Sequence, residues 1–532
     1  MTQLKTSHTS TRLVTTRVLQ RFPENFEVSS VAWRLPLRRR VHLALAIPLA
    51  LAAIALAARL FGLGDKPLWY DEILTLKRAS LPFWELIADA FHNKHYPTYF
   101  LAVSPFVGAD WSAWMVRLPS AVLGAVCVYL VASIAYRVSG RVSAACVAGV
   151  LMALSPLEVQ FGQEARSYTL TSAAILLSLW GFIGIISADR AARSLGDGNQ
   201  PAVLPWVAYV LGMSLALNTL SVSAPWFVAV NLVAAWLWWV GLTPRNWSIC
   251  PWAAANSAVM LSWLPGLLAL ASSNYEAPLQ GLDWTPDLTW ELVHNVFAAA
   301  FGLRVSDLMT LNLMPAIVPG LGILVAALAL LGVWSLRTRL GILITLSTAI
   351  ATMPLILLLV SLAHPMFISR YLLWSTGPYF VLVGIGVAAL PRKMQPLLAG
   401  CLAVSAALSL AAYYASETKP RWDLAATYLA EHGSPSDVMI TDTGLARIVL
   451  AAYLDRAGAA AVKATEFHDM PIVKDRFNNG RTLWVIHGRT GQGTVEQVEE
   501  FLNRWTSFGT PNTEVVFGKH IVIRRYGPDA NP

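Results

Sequence analysis

Long apolar runs constrain the fold of this chain more than any other feature of its sequence. A helix needs roughly 20 predominantly apolar residues to cross a bilayer, and by that criterion we find about 11 sufficient runs. The composition agrees, because 56% of the 532 residues are hydrophobic and only 13% are charged, whereas soluble domains carry about 25% charged residues. We therefore predict a polytopic α-helical membrane protein. The predicted spans lie near residues 41–62, 118–137, 142–160, 169–188, 203–220, 222–242, 250–271, 313–335, 340–362, 371–390 and 396–414.

Basic residues mark one side of these spans. If the spans simply alternate, the bases in the short loops all fall on the same side, which the positive-inside rule assigns to the cytoplasm. We therefore interpret the net charge of +8 as a topology signal rather than as a nucleic-acid site. The residues concerned are Arg38, Arg39, Arg40, Arg137, Arg141, Arg190, Arg193, Arg245, Arg337, Arg339, Arg392 and Lys393.

This orientation divides the chain into three predicted parts. Residues 1–40 form a cytoplasmic N-terminus whose polar beginning is predicted to be disordered, and residues 41–415 form the transmembrane domain. The first apolar run follows a leader too long for an ordinary signal peptide, so we interpret it as an uncleaved anchor. The long loops 63–117 and 272–312 then face outward, as does the tail 416–532. We expect a multi-pass protein of the bacterial inner membrane with its C-terminal domain in the periplasm.

The tail 416–532 has ordinary charge density and short alternating elements, which is typical of a small α/β domain. "WDLAATYLAEHG", "GLARIVLAAYLDRAG" and "TVEQVEEFLNRW" predict helices, "DVMIT" and "TLWVIHG" predict strands, and "TEVVFGKHIVIRRYG" predicts a final hairpin. A disulfide cannot hold this domain together, because all four cysteines lie within predicted spans. They are Cys127, Cys146, Cys250 and Cys401.

An acidic pair in the first outward loop raises the question of function. In "LWYDEILTLKRAS", Asp71 and Glu72 follow the first span by about ten residues and precede Lys77 and Arg78. The structural alternative to a functional role is that both acids lie in a solvated loop and simply face water. The loop is also amphipathic, since "PFWELIADAFHNKHYPTYFLAVSPF" mixes aromatic and ionisable residues, as helices at the membrane surface do.

Further polar residues gather at the outward ends of other spans. "QFGQEARSY" places Glu164, Arg166 and Tyr168 there, and "AHPMFISRY" places Arg370 and Tyr371 there. Ionisable groups at such depth are costly unless they are paired or used, although interfacial tyrosines are also ordinary anchors. An ion pair of Arg166 with Glu164 is the structural alternative to a functional role. His92 and His95 are three residues apart, which is a weak metal signal without a third ligand.

The chain resembles the GT-C superfamily of membrane glycosyltransferases, in particular the dolichyl-phosphate-mannose protein mannosyltransferase and aminoarabinose transferase families. The matching pieces occur in order: "LWYDEILTL", "HYPTYF", "RLPSAVLG", "LSPLEVQFGQEARSY" and "SRYLLWSTGP". The chain departs from the family pattern at Tyr96 and Thr98, where a proline and a leucine are usual. The match covers residues 60–185 well and 360–425 moderately, whereas the middle agrees only in hydropathy.

The resemblance implies an inverting transfer of one sugar from a polyprenyl-phosphate carrier to an acceptor hydroxyl of a lipid, a glycan or a protein. Asp71 would be the general base, and Glu72 would orient the base, the acceptor or a cation. The departing phosphate would be met by Arg166, Arg370 and Lys77. The substrate pocket would include Glu164, Tyr168, Tyr371 and His95. The sequence requires no metal and leaves a divalent cation open, and it indicates no nucleic-acid partner.

Two other classes of protein remain open from the residues. A transporter or flippase of a lipid-linked substrate also has many spans and buried charges, but such proteins favour paired repeats and polar groups near the midplane. A non-catalytic scaffold with an external recognition domain would leave the acidic pair unexplained.

Overall fold

The computed structural model describes most of the chain. The described residues are 37–108, 112–187, 203–243, 249–272, 285–304, 318–459, 464–466, 477, 481–488, 505, 509–518 and 521–527. Residues 1–43 and 44–532 form two units, and the described part of the first unit is the beginning of helix α1. The predicted disorder of the first 35 residues lies outside the described residues.

Apolar helices account for all eleven predicted spans. Eight of the described helices are long and apolar enough to cross a membrane, and the bent pair α6–α7 makes a ninth. Two shorter apolar helices, at 203–217 and 320–335, occupy the remaining two positions. The polytopic fold predicted from hydropathy is therefore confirmed. The helices are α1 (Leu37–Leu60), α5 (Ala113–Ser139), α6 (Val142–Leu154), α7 (Pro156–Gly162), α8 (Tyr168–Ile186), α9 (Val203–Leu217), α10 (Ala224–Trp239), α11 (Ile249–Ser272), α13 (Val318–Ser335), α14 (Leu340–Ser361), α15 (Leu373–Ala389) and α16 (Gln395–Ala415).

The third span is broken, and a turn with polar residues follows the break. α6 and α7 meet at an angle of 59° on either side of Ser155. Pro156 follows directly, and a proline disfavours the helical conformation of the residue before it, so the helix is interrupted at this point. α7 then ends at Gly162, which opens the turn that carries residues 163–167.

Helices α8 and α15 form the centre of the bundle, and almost all of their residues are buried. Small residues let the helix backbones approach closely, which is the main source of helix association where lipid replaces water. A Cβ atom at Gly386 of α15 would collide with the carbonyl group of Leu328 in α13. The helices at the periphery, such as α11 and α16, keep most of their apolar side chains exposed on the surface that lipid would cover.

The first loop predicted to face outward is itself helical. It contains α2 (Tyr70–Ala79), α3 (Phe83–His92) and α4 (Thr98–Val103), and the loop before α13 contains α12 (Trp290–Phe301). A short 3-10 turn, Ser369–Leu372, leads into α15. The amphipathic pattern of this loop thus corresponds to real helices, and α2 carries the acidic pair in its first turn.

The described part of the C-terminal region contains a five-stranded mixed sheet and two helices. The strand order is β2-β1-β3-β5-β4, with β1 parallel to β2 and β3, and with β5 antiparallel to β3 and β4. The predicted strands, hairpin and first two helices are confirmed, whereas the helix predicted from "TVEQVEEFLNRW" lies almost entirely outside the described residues. The sequence did not predict β2. The elements are α17 (Trp422–His432), β1 (Val438–Thr441), α18 (Gly444–Arg456), β2 (Ala464–Glu466), β3 (Leu483–Gly488), β4 (Thr513–Phe517) and β5 (Ile521–Tyr526).

The C-terminal region packs directly on the acidic helix. Ile73 and Leu76 of α2 belong to the same apolar cluster as Trp422 and Leu450 of the C-terminal helices. No disulfide supports this contact, because all four cysteines are free and lie in membrane helices, as predicted. The region is therefore held against α2 by burial of apolar surface and by the polar contacts described below.

Candidate active site

Asp71 lies in the first turn of α2, within the loop predicted to face outward. A carboxylate is favourable there because the free N–H groups of a helix N-terminus carry partial positive charge. Its side chain is 18% exposed, so it can still reach a bound ligand. One oxygen, Oδ2, lies 3.5 Å from Nη1 of Arg370 and 3.7 Å from Nε of Arg166. Two guanidinium groups therefore converge on a single carboxylate oxygen.

The two arginines come from different parts of the chain. Arg166 lies in the turn between α7 and α8, and Arg370 lies in the 3-10 turn before α15. Each guanidinium carbon is 5.7 Å from the centre of the Tyr168 ring, so both cations contact the same aromatic side chain. Burial lowers the pKa of Arg166, but the charge of Asp71 more than compensates and holds that pKa above its ordinary value. Arg166 therefore stays positively charged.

Two tyrosines complete this side of the site. Tyr168 begins α8, and its ring meets the ring of Tyr371 edge to face at 6.3 Å between centroids. Arg370 is also 5.6 Å from the ring of Tyr371. The predicted residues Asp71, Arg166, Arg370, Tyr168 and Tyr371 thus form one cluster, although up to 300 positions separate them in the sequence.

Glu72, directly beside Asp71, has a different environment. It is fully buried, and both of its oxygens accept from Arg117, at 2.7 and 2.8 Å. Lys419 donates to Oε2 at 2.7 Å, and the backbone N–H of Ala165 donates to Oε1 at 2.9 Å. Burial alone would raise the pKa of Glu72, but Arg117 and Lys419 lower it to about 2. Glu72 is therefore charged, and both of its oxygens already accept hydrogen bonds from residues of this chain.

Arg117 fixes the backbone that leads into α2. Besides its fork on Glu72, its terminal nitrogens donate to the carbonyl groups of Leu63, Lys66 and Pro67 at 2.8 to 2.9 Å. All five N–H donors of the guanidinium are thereby used. The "RLPSAVLG" stretch contributed to the family resemblance, but Arg117 was not predicted to be a site residue. Arg117 could have been predicted as a site residue because it lies near the start of an otherwise apolar span, where a charged side chain needs a partner.

Glu164 lies on the other side of Lys419. Its Oε1 is 3.8 Å from Nζ of Lys419, and its buried Oε2 accepts no hydrogen bond from the described residues. Burial raises the pKa of Glu164, although Lys419 opposes that effect. The expected alternative, an ion pair of Glu164 with Arg166, is not the arrangement found, since Arg166 instead faces Asp71. Lys419 was also missed by sequence analysis, because a lysine just beyond a span looks like an ordinary anchor.

The other predicted site residues lie at or beyond the edge of the cluster. His95 is half-buried, and burial followed by the charges of Arg166 and Arg78 lowers its pKa to about 4, so it is neutral near pH 7. Arg78 pairs with Asp89 of α3. Lys77 is exposed on α2 and takes part in none of the ion pairs among the described residues. Within the same residues, no group of three or more His, Cys, Asp or Glu side chains could hold a metal ion.

Comparison with known proteins gives a structural match without a sequence match. No family model and no curated protein sequence matches the chain. The crystal structure of ArnT, an aminoarabinose transferase from Cupriavidus metallidurans, is 14% identical in its apo state. It matches with a TM-score of 0.53 over 90% of this chain and 98% of that chain. The same protein bound to undecaprenyl phosphate is 12% identical, with a TM-score of 0.50 over 90% of this chain and 99% of that one.

A second solved structure shares the architecture. The archaeal oligosaccharyltransferase AglB from Archaeoglobus fulgidus, in complex with an inhibitory peptide and a dolichol-phosphate, is 10% identical. It matches with a TM-score of 0.50 over 84% of this chain and 69% of that chain. Both neighbours are GT-C proteins, so the fold that the sequence motifs indicated is confirmed. This chain is a multi-pass membrane protein with the GT-C fold.

Proposed function

We propose that the chain is an inverting glycosyltransferase that moves one sugar from a polyprenyl-phosphate carrier to an acceptor hydroxyl. The observation that carries the proposal is the convergence of Arg166 and Arg370 on one oxygen of Asp71. Contacts of 3.5 and 3.7 Å are too long for strong charge-assisted hydrogen bonds. A stronger anion can therefore replace Asp71 as the partner of the two guanidinium groups.

A phosphate is the anion that suits this arrangement. The planar guanidinium fork matches phosphate oxygens in pairs. Two such groups offer several donors to a phosphate that gains a second negative charge as its bond to the sugar breaks. A polyprenyl chain attached to that phosphate would remain in the bilayer, which explains why the site lies at the ends of membrane helices. The structural neighbours were solved with undecaprenyl phosphate and with a dolichol-phosphate, which supports a lipid phosphate as the donor group.

Asp71 has the position and chemistry of the general base. The acceptor oxygen attacks the anomeric carbon, and its proton passes to a carboxylate oxygen of Asp71. The bond between the anomeric carbon and the phosphate oxygen breaks, and its electron pair remains on the phosphate. Arg166 and Arg370 stabilise the charge that develops there, so no general acid is needed. Attack opposite the leaving group inverts the anomeric centre.

The remaining residues are given supporting roles. Glu72 positions Asp71, because its own oxygens are occupied by Arg117, Lys419 and Ala165. Tyr168 and Tyr371 form an aromatic wall beside the arginines, and neutral His95 borders the pocket. We place this site on the periplasmic face of a bacterial inner membrane, on the basis of the loop charges.

Deletion of the gene tests the proposal directly. We expect mass spectrometry of the envelope to find one lipid, glycan or protein that has lost a single sugar, and a copy encoding wild-type protein should restore it. A copy encoding Asp71→Asn should not restore it, although the protein reaches the membrane. Loss of no sugar, together with accumulation of an unused lipid-linked sugar on the cytoplasmic side, would instead identify a flippase.

A further inference from the structure

Four charged side chains lie behind Asp71 and come from four parts of the chain. Glu72 comes from α2, Arg117 from α5, Glu164 from the turn after α7, and Lys419 from the segment after α16. We call this group the buried tetrad. None of the four side chains is more than 5% exposed, and two carboxylates face two cations. The tetrad joins the membrane bundle, the acidic helix and the C-terminal region at one point.

We propose that Lys419 is a positioning residue through which the C-terminal region holds Asp71 in place. The inference rests on the proposed function, since Asp71 is taken as the base. Nζ of Lys419 lies 2.7 Å from Glu72 Oε2 and 3.8 Å from Glu164 Oε1, so the lysine bridges the acidic helix and the turn that carries Arg166. The segments that supply the base and one phosphate-binding arginine thus meet at the same ammonium group.

The position of Lys419 is itself fixed by the C-terminal sheet. Trp422, three residues later, is fully buried, and a Cβ atom at Gly488 of β3 would collide with its ring. A glycine at the end of β3 is therefore required for the Trp422 ring to pack against the sheet. A rigid connection runs from β3 through Trp422 to Lys419 and on to Glu72.

A second contact from the C-terminal region lies just before the acidic pair. The hydroxyl of Tyr453, on α18, donates to the carbonyl of Leu68 at 3.0 Å and accepts from its N–H at 2.7 Å. Asp71 thus lies between two residues, Leu68 and Glu72, that the C-terminal region binds directly. Such support for a reacting group is how proteins keep a base within a few tenths of an ångström of its working position.

Charge balance makes this role testable. Without Lys419, two buried carboxylates would face the single cation of Arg117, and one of them would have to take up a proton. Glu164 is that residue, because its Oε2 accepts no hydrogen bond from the described residues, whereas Glu72 is held by the Arg117 fork. At pH values below the pKa of Glu164 the cluster stays balanced, and above it the excess negative charge disrupts the cluster. The activity of Lys419→Met should therefore fall as the pH rises.

The other groups that act on Glu164 do not replace the missing charge. Arg166 is engaged by Asp71. Lys66 contacts Tyr413 and Thr418, and burial is the main cause that lowers its pKa to about 7. Burial persists in Lys419→Met, so Lys66 also loses its charge there as the pH rises. Beyond the tetrad, the titratable groups that interact with Glu164 are Asp71, Lys66, Tyr99, Arg166 and Tyr413.

The experiment compares three full-length variants with wild type: Lys419→Met, Lys419→Met with Glu164→Gln, and Arg421→Met. Arg421 is the matched control, because it lies in the same segment but pairs with Asp423 at the surface. Hydrogen exchange of peptides covering residues 68–79 should rise in Lys419→Met, return toward wild type in the double variant and stay unchanged in Arg421→Met. This measurement does not depend on any enzymatic activity.

Transfer rates are then measured from about pH 6 to about pH 9, because burial raises the pKa of Glu164. We expect Lys419→Met to lose about 10²-fold in kcat at the alkaline end and less at the acid end, since small displacements of a base have effects of that size. The double variant should recover most of the rate and lose the pH dependence, because glutamine does not titrate.

Several outcomes would overturn the proposal. Unchanged exchange and an unchanged rate in Lys419→Met would show that the lysine positions nothing. A loss that is independent of pH and is not relieved by Glu164→Gln would also contradict it, as would failure of both Lys419 variants to fold. If wild-type protein transfers no sugar, the proposed function fails, and hydrogen exchange alone still decides whether Lys419 holds the acidic helix.

Discussion

Oδ2 of Asp71 lies 3.5 Å from Nη1 of Arg370, although 299 positions separate the two residues in the sequence. The same oxygen faces Arg166 at 3.7 Å. The carboxylate is therefore the counter-ion of both arginines. A donor phosphate that binds these arginines would take over that role and release Asp71 toward the acceptor.

Asp71→Asn should separate binding from chemistry. The amide cannot accept the acceptor's proton, so turnover should fall by at least about 10²-fold. Undecaprenyl phosphate should bind more tightly than to wild type, because the amide no longer competes for the two guanidinium groups. Binding can be measured by microscale thermophoresis, with Asp89→Asn as a control that removes another arginine-paired carboxylate. Full turnover in Asp71→Asn would remove the base assignment.

Arg370→Lys should weaken use of the donor while the protein still folds. Lysine keeps the positive charge but lacks the planar fork that grips two phosphate oxygens. We expect a higher KM for the lipid-linked donor and a lower kcat. Arg166→Lys should show the same pattern, with an added loss of stability because Arg166 also donates to the Asp71 carbonyl at 3.3 Å. Wild-type kinetics in Arg370→Lys would reassign that arginine to structure.

Glu72→Gln should affect stability more than Asp71→Asn does. Breaking a buried ion pair by removing one charge costs about 3–5 kcal/mol, since the partner cations stay buried. The pKa of Glu72 is lowered from 4.5 to about 2, so its stabilising effect is present above pH 4.5 and is lost as the pH falls toward about 2. Thermal unfolding of the purified variants measures which of the two is less stable. Equal unfolding temperatures for Glu72→Gln and Asp71→Asn would contradict the positioning role of Glu72.

His95 should make the protein sensitive to mild acid. Its pKa is lowered from 6.5 to about 4, so the folded state holds it neutral while the unfolded chain takes up a proton. Stability should therefore fall as the pH drops from about 6.5 to about 4. His95→Gln should make that decline shallower, because glutamine does not titrate. Parallel curves for wild type and His95→Gln would show that this histidine does not contribute.

Cysteine labelling tests the orientation. In a variant in which the four native cysteines are replaced, a cysteine at Asp65 or Asn512 should react with a membrane-impermeant thiol reagent in spheroplasts. A cysteine at Asp197, in a predicted cytoplasmic loop, should react only after the membrane is opened. Labelling of the Asp197 position alone would invert the topology and move the site to the cytoplasmic face.

Hydropathy and local patterns predicted most of the elements. The eleven spans and the C-terminal hairpin follow from hydrophobic periodicity and turn residues that lie close together in the sequence. The break at Ser155 and Pro156 was not predicted, because residues 142–160 were interpreted as one continuous span. Strand β2 was missed because its three residues, Ala464–Glu466, carry no alternation of their own. Its strand conformation comes from pairing with β1, which is a tertiary contact.

Composition and periodicity are local properties, so they were sufficient to predict the class of protein, the spans and the placement of Asp71, Arg166 and Arg370 near helix ends. The different environments of the two adjacent acids arise from the packing of the helices. Successive residues of a helix point about 100° apart, so Asp71 faces the arginines from α7–α8 and α15 while Glu72 turns into the bundle. Arg117 and Lys419 meet Glu72 there from positions 45 and 347 residues away. No local pattern encodes such a meeting, since it depends on how the helices pack.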